Sequence, residues 1–273
     1  MDIFFDKHEK SSTKSFLYTM TETLTLCFFA FLAGFINGTV GGGGLVQTPA
    51  LLITLPYAAI PQIMGTAKFS SIVGSISSAV QYGREVTLEW RGILGFMVGG
   101  AFTFSFIGAR LISYLDPSVL KPVIWFLLLF VFIYILLKKD FGQIQTKALN
   151  PSKSNTYGFL FGCVIGLYDG FFGPGTGSFL ILFFITAIGF DFIKASAHAK
   201  IVNVSTNLAA FIQFASHGNV LWQFALPMAC CNLAGSYVGV RAALIRGNKF
   251  VRVLFLCIIA LMIIRYGYDI FFK

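Results

Sequence analysis

Charge is what this chain has least of. Its 273 residues hold 11 Asp and Glu and 20 Lys and Arg, 11% charged in all. Against 56% hydrophobic residues and a mean hydropathy of +0.80, that is too little polar surface to coat a water-soluble globule of this size. Groups that carry chemistry are scarce too. Cys27, Cys163, Cys230, Cys231 and Cys257 all fall in apolar runs without C-x-x-C spacing, which excludes a zinc or redox site of that pattern and leaves them as small core residues. No Gly-Lys-Ser/Thr loop is present to cradle nucleotide phosphates. No nucleophile stands with a base and an acid, and no metal-ligand cluster is evident. The expectation is a chain that is not an enzyme and needs no cofactor or metal. A basic stripe interleaved with aromatics is missing as well, which sets nucleic acid aside as a partner.

The first 16 residues carry Lys7, Lys10 and Lys14 but lack the apolar core and small-residue cleavage site of a signal peptide. We read 1–23 as a retained polar tail. Beyond it the chain is a series of apolar runs, at 24–40, 44–64, 66–82, 92–115 and 119–137, and again at 157–172, 176–190, 195–216, 220–244 and 250–272. A spanning helix needs about 20 apolar residues, so the second, sixth and seventh runs are marginal: they either cross or are half-helices, Gly/Pro-broken or re-entrant near the midplane. The expected architecture is an all-α integral membrane protein of two units, 24–137 and 157–273, joined by a basic linker at 138–156. The net charge of +9 is concentrated between runs. That is the bias that orients membrane proteins, and it also concentrates anions near a pore mouth.

The two units repeat each other at an offset of 132. Gly34 matches Gly166, Gly38 matches Gly170, Gly41 and Gly43 match Gly173 and Gly175, Lys68 matches Lys200, Gln81 matches Gln213 and Trp90 matches Trp222. Further on the offset slips by one residue, so that Gly108 matches Gly239 and Arg110 matches Arg241. Five crossing runs per unit make the repeats inverted; one re-entrant run per unit makes them parallel. The charges do not separate the two.

Repeats around a midplane site are a recurring transporter design, in which broken helices expose backbone groups to the solute. Gly41, Gly42, Gly43 and Gly44 interrupt the first unit, and Gly173, Pro174, Gly175 and Thr176 the second. Irregular backbone at membrane depth has to be buried in protein or line a wet cavity. N–H groups opening the helix after each break suit an anion. Lys68, Ser71 and Ser75 share one helical face, and Lys200, Asn203 and Asn207 have the same spacing. A lysine at a helix centre costs roughly 2.5–3.5 kcal/mol on insertion scales; the alternative to solute contact is snorkelling to the interface. Asn37 and Asp169 form a further matched pair beside the breaks, suited to pairing with a lysine, carrying a proton or capping. His198, near Lys200, could titrate near neutrality or serve as a structural donor.

The segments Ala33-Gly34-Phe35-Ile36-Asn37, Gly41-Gly42-Gly43-Gly44-Leu45 and Gly166-Leu167-Tyr168-Asp169-Gly170-Phe171-Phe172-Gly173-Pro174, with Lys194 through Lys200 and Asn203, closely resemble the TauE/SafE sulfite-exporter family, most nearly its YfcA-like branch. The resemblance covers about 24–272. It implies a multi-pass carrier in a bacterial-type cytoplasmic (inner) membrane, moving sulfite, organosulfonates or related small anions outward. Asn37 departs from the pattern, in which an acid is common there. The partners expected are a small anionic solute and the lipid bilayer, with room for a homo-oligomer. The reading from the residues is a secondary transporter working by alternating access; a gated anion channel uses the same site without rocking.

Overall fold

The computed structural model describes residues 2–112 and 151–271, together with 125, 126, 129, 132, 133 and 136. The run expected at 119–137, those six positions apart, and the linker up to 150 lie outside the described residues. Among the described residues there is no strand; the elements are helices α1 Asp2–Val40, α2 Gly44–Thr54, α3 Ile60–Glu85 and α4 Gly95–Leu111, the last preceded by a π-helical turn at Trp90–Leu94. The second unit comprises α5 Pro151–Phe171, α6 Thr176–Phe183 prolonged by a π-helical turn Phe184–Ile188, α7 Phe192–Ala215 and α8 Trp222–Phe271. The expected tail is helical from Asp2 and runs into the first apolar run without a break.

Local chemistry sets the boundaries. Pro56 disfavours helix at the residue before it, so α2 stops at Thr54 after 11 residues, shorter than its run. The remainder of that run, from Ile60, opens α3, where Gln62 Oε1 accepts the Ala59 N–H at 3.2 Å. Asp191 caps α7 by accepting the Lys194 N–H at 2.9 Å. Helix α8 bends at Gly247, whose φ of 70° and ψ of −170° a side chain would resist. The sixth run is longer than expected, a 21-residue helix; α2 and α6 are the short ones.

Met20–Val40 and Gly92–Leu111 are long and apolar enough to cross a membrane, each with a hydropathy of 1.7; Gly44–Thr54 and Thr176–Ile188 are shorter apolar helices. Helices α3 and α7 are long, but they spend part of their length on inward polar groups, among them Lys68, Ser70, Ser75 and Lys200, His198, Asn203.

Two ends of the bundle are fixed by contacts between turns. At one, Tyr57 donates to Glu22 Oε2 at 3.1 Å and the Leu221 N–H donates to Thr66 Oγ1 at 3.0 Å. At the other, the Glu89 N–H donates to His198 Nε2 at 3.2 Å and the Ile193 N–H donates to Asn248 Oδ1 at 3.0 Å. We call these the His217 end and the Lys194 end. Helix α1 packs on α8, with Gly34 against the Asn232 backbone and Gly38 against Ser236; α5 packs on α4, with Gly166 against Ala101 and Gly170 against Ser105. Buried aromatics crowd the Lys194 end, where Phe184 stacks on Phe190 with centroids 5.8 Å apart and His198 lies 4.7 Å from Phe190.

Candidate functional site

The two helix breaks cross in the middle of the molecule. Gly41 turns the chain at φ 81°, and a side chain on it would sit 2.6 Å from the Gly177 carbonyl carbon; one on Gly177 would run into the Gly41 oxygen. Only glycine at both positions permits this approach. Neither α2 nor α6 has a side-chain cap: Gly43 and Gly175 hold those positions. The N–H groups of Leu45, Val46, Thr176 and Ser178 are taken by carbonyls of the breaks themselves. Those of Gly44 and Gly177, both on the wall of the cavity beside the crossing, have no backbone acceptor among the described residues and carry the partial positive charge of a helix start.

Each lysine reaches across from one unit to the broken helix of the other. Lys68 Nζ donates to the Asp169 carbonyl at 2.7 Å and pairs with Asp169 Oδ2 at 2.9 Å. Lys200 Nζ donates to the Asn37 carbonyl and lies 3.5 Å from Asn37 Oδ1. Both lysines are the ninth residue of their helices, both carbonyls belong to the last turn before a break, and that turn carries partial negative charge. Lys68 is 6% exposed and Lys200 fully buried, so neither snorkels. The remaining Asp169 oxygen, Oδ1, accepts the Thr176 hydroxyl at 2.7 Å. Asn37 Nδ2 donates to Ser75 Oγ at 3.0 Å.

A cavity of about 40 Å³ opens beside this crossing, more than the roughly 10–15 Å³ that one water needs by the same measure. Of the residues expected to meet solute, Gly41, Gly43, Gly44, Lys68, Ser71, Gly173, Thr176, Asn203 and Asn207 line it, as do Asn37 and Asp169. Ser75 stands behind Asn37. Lys200 lies off the cavity wall, holding the end of α1. Gly42, Pro174 and Gly175 are also off the wall: a side chain on Gly42 would meet Ile258, and the Pro174 carbonyl accepts the Tyr168 hydroxyl at 2.5 Å. His198 does not line the cavity. It pins the 86–89 segment at the Lys194 end, the place that Thr66 fills at the His217 end.

Gln47, Thr48 and Asn232 also line the cavity and were not anticipated. Asn232 Nδ2 donates to Gln47 Oε1 at 2.9 Å, and Gln47 Nε2 to the Ala67 carbonyl at 3.2 Å. Their matched positions in the other unit are apolar: Phe179, Leu180 and Ala101. A search for paired polar residues passes over them, although a polar residue within an apolar run is itself the available signal.

Crossed helix breaks, lysines buried against the broken ends and an amide-rich cavity define a helical membrane protein with an internal polar site. The chain belongs to the sulfite exporter TauE/SafE family, whose model matches residues 26–266. It is 37% identical over 240 residues to a probable membrane transporter protein ORF9 of Sinorhizobium sp, covering 86% of this chain and 88% of the relative. It is 34% identical over 251 residues to the probable membrane transporter protein YfcA of Escherichia coli (strain K12), covering 89% of each. A probable membrane transporter protein of Haemophilus influenzae is 33% identical over 240 residues, 88% of this chain and 92% of the relative. No solved structure matches the chain.

Proposed function

We propose that this chain is a multi-pass secondary transporter of sulfite, organosulfonates or related small sulfur oxyanions, with its solute site in the cavity between the two helix breaks. The observation that carries the reading is the convergence of two uncapped helix starts and the Lys68 ammonium on one cavity. An oxyanion placed there meets N–H donors from both breaks, the hydroxyls of Thr48 and Ser71, and the amides of Asn203 and Asn207. Asp169 balances Lys68 while the site is empty. An incoming anion takes over part of that balance, which links solute binding to the contact between the two units.

The units act as inverted repeats. The supporting contacts recur at the sequence offsets: Lys68 on Asp169 and Lys200 on Asn37, Gly34 on Asn232 and Gly166 on Ala101, Leu221 on Thr66 and Glu89 on His198. Rocking one unit against the other about the crossing exposes the cavity to alternate sides. Movement is driven by gradients of solute, proton or potential.

Counterflow tests this. Proteoliposomes preloaded with unlabelled sulfite should accumulate labelled sulfite, and Lys68→Ala should abolish accumulation in protein that still purifies as a folded species. Absence of counterflow by the native protein with sulfite and with organosulfonates overturns the substrate class. Flux without accumulation replaces the carrier with a gated channel.

A further inference from the structure

A second cavity, about 230 Å³, opens at the His217 end between the start of α3 and the ends of α4 and α7. Arg110, Gln213, His217 and Asn219 line it, and among the described residues no acidic one does. Arg110 is exposed and has no ion pair among the described residues. His217 lines the cavity with its Nδ1 2.9 Å from the Gln213 carbonyl and 3.1 Å from Ser216 Oγ.

One apolar cluster touches both cavities. Met64, Ala109, Ile112, Phe171, Ala210 and Phe214 form it, with Phe172 packed alongside. Met64 and Phe172 also line the central cavity, while Ala109, Ile112 and Phe214 line the outer one. The cluster therefore lies between them, with Met64 and Phe172 on the central side and Ala109, Ile112 and Phe214 on the outer side. The Lys194 end is built differently. The position matching Phe214 is Tyr82, fully buried, with its hydroxyl donating to the Gly38 carbonyl at 3.0 Å. It shares with Phe184, Phe190, Phe192 and Phe255 the largest apolar cluster among the described residues.

We propose that the His217-end cavity is an anion vestibule, that Arg110 selects small oxyanions in it, and that Met64, Phe172 and Phe214 form the gate between vestibule and central site. The conformation is the one sealed at the Lys194 end. Fixed positive charge in a low-dielectric recess raises the local concentration of anions. A partition of a few apolar side chains can open by side-chain movement, whereas the aromatic mass around Tyr82 opens only if the units move. This assignment rests on the transporter reading for its role, but its test does not require transport.

Thiol labelling in nanodiscs provides the test, in a chain whose five native cysteines are replaced. Gln213→Cys reports the vestibule and Asn207→Cys the central site. The probes are an anionic reagent, 2-sulfonatoethyl methanethiosulfonate, and its trimethylammonium counterpart, each normalised to its rate with a free thiol. The anionic reagent should be favoured at Gln213→Cys by about threefold or more, and Arg110→Gln should erase the preference while Arg110→Lys keeps it. Asn207→Cys should react slowly, and Phe214→Ala or Met64→Ala should each speed it by about tenfold, a change of about 1.4 kcal/mol in the opening equilibrium. Equal preference with and without Arg110 overturns the vestibule. Labelling of Asn207→Cys as fast as Gln213→Cys in the parent with its gate intact, or no acceleration in either gate variant, overturns the gate. A native protein that fails in counterflow but labels as expected removes the sulfite reading and leaves the vestibule standing.

Discussion

Lys68 of one unit closes the broken end of α5 in the other, with its ammonium 2.7 Å from the Asp169 carbonyl and 2.9 Å from the same residue's carboxylate. Lys200 does the reciprocal service for α1 at Asn37. The exchange is unequal: Asp169 supplies a counter-charge, and Asn37 only carbonyls and an amide.

That inequality separates the two lysines. Removing one member of a buried ion pair leaves an uncompensated charge and costs about 3–5 kcal/mol. Asp169→Ala should lower the melting temperature of the purified protein far more than the double variant Lys68→Met with Asp169→Leu, which removes both charges. Equal losses would show that the pair is not energetically coupled.

Lys200 lies off the cavity wall, so Lys200→Met should reduce thermal stability while leaving the KM for the transported anion near its native value. Lys68→Met should act on KM and flux. A large KM change in Lys200→Met would place its ammonium in contact with solute.

The crossing of the breaks admits no side chain. Gly41→Ala and Gly177→Ala should each abolish folding or transport, because the added carbon would overlap backbone atoms of the other unit, at 2.6 Å in the case of Gly41. Gly99→Ala is the matching control. Nothing lies within 4 Å of its added carbon, and in a helix it should be neutral or stabilise by about 0.5–1 kcal/mol, read as the melting temperature.

His198 and Thr66 hold the same post at opposite ends, each accepting a backbone N–H from a turn. His198→Ala should speed hydrogen exchange at the Glu89 amide, with a loss of about 1–2 kcal/mol in local protection. A slower or unchanged exchange would mean that the ring does not hold the 86–89 segment.

Arg84, Lys194, Arg241, Arg246, Lys249 and Arg252 all belong to elements that meet at the Lys194 end. An excess of Lys and Arg marks the cytoplasmic side, so that end should face the cytoplasm. A cysteine introduced at Asn219 should react with an impermeant reagent added to intact cells, and one introduced at Asn248 should react only after the membrane is opened. The reverse pattern would invert the orientation.

Much of the arrangement was legible in the chain. Apolar composition and scarce charge set the class, since no soluble surface can be made from so few polar groups. The Gly and Pro clusters marked the breaks, because four successive glycines and a Gly-Pro-Gly cannot continue a helix. Matched spacing placed Lys68 and Lys200 at equivalent posts. Periodicity reports which residues share a face but not what lies opposite. For that reason the partners of the lysines, the burial that rules out snorkelling and the withdrawal of Lys200 and Ser75 from the cavity wall came only from the packed molecule. Gln47 and Asn232, 185 residues apart, bond each other without a repeat to announce them. A sequence determines which elements break and where its few polar groups fall along them; which of those groups face one another across the cavity depends on distances between residues that only tertiary packing brings together.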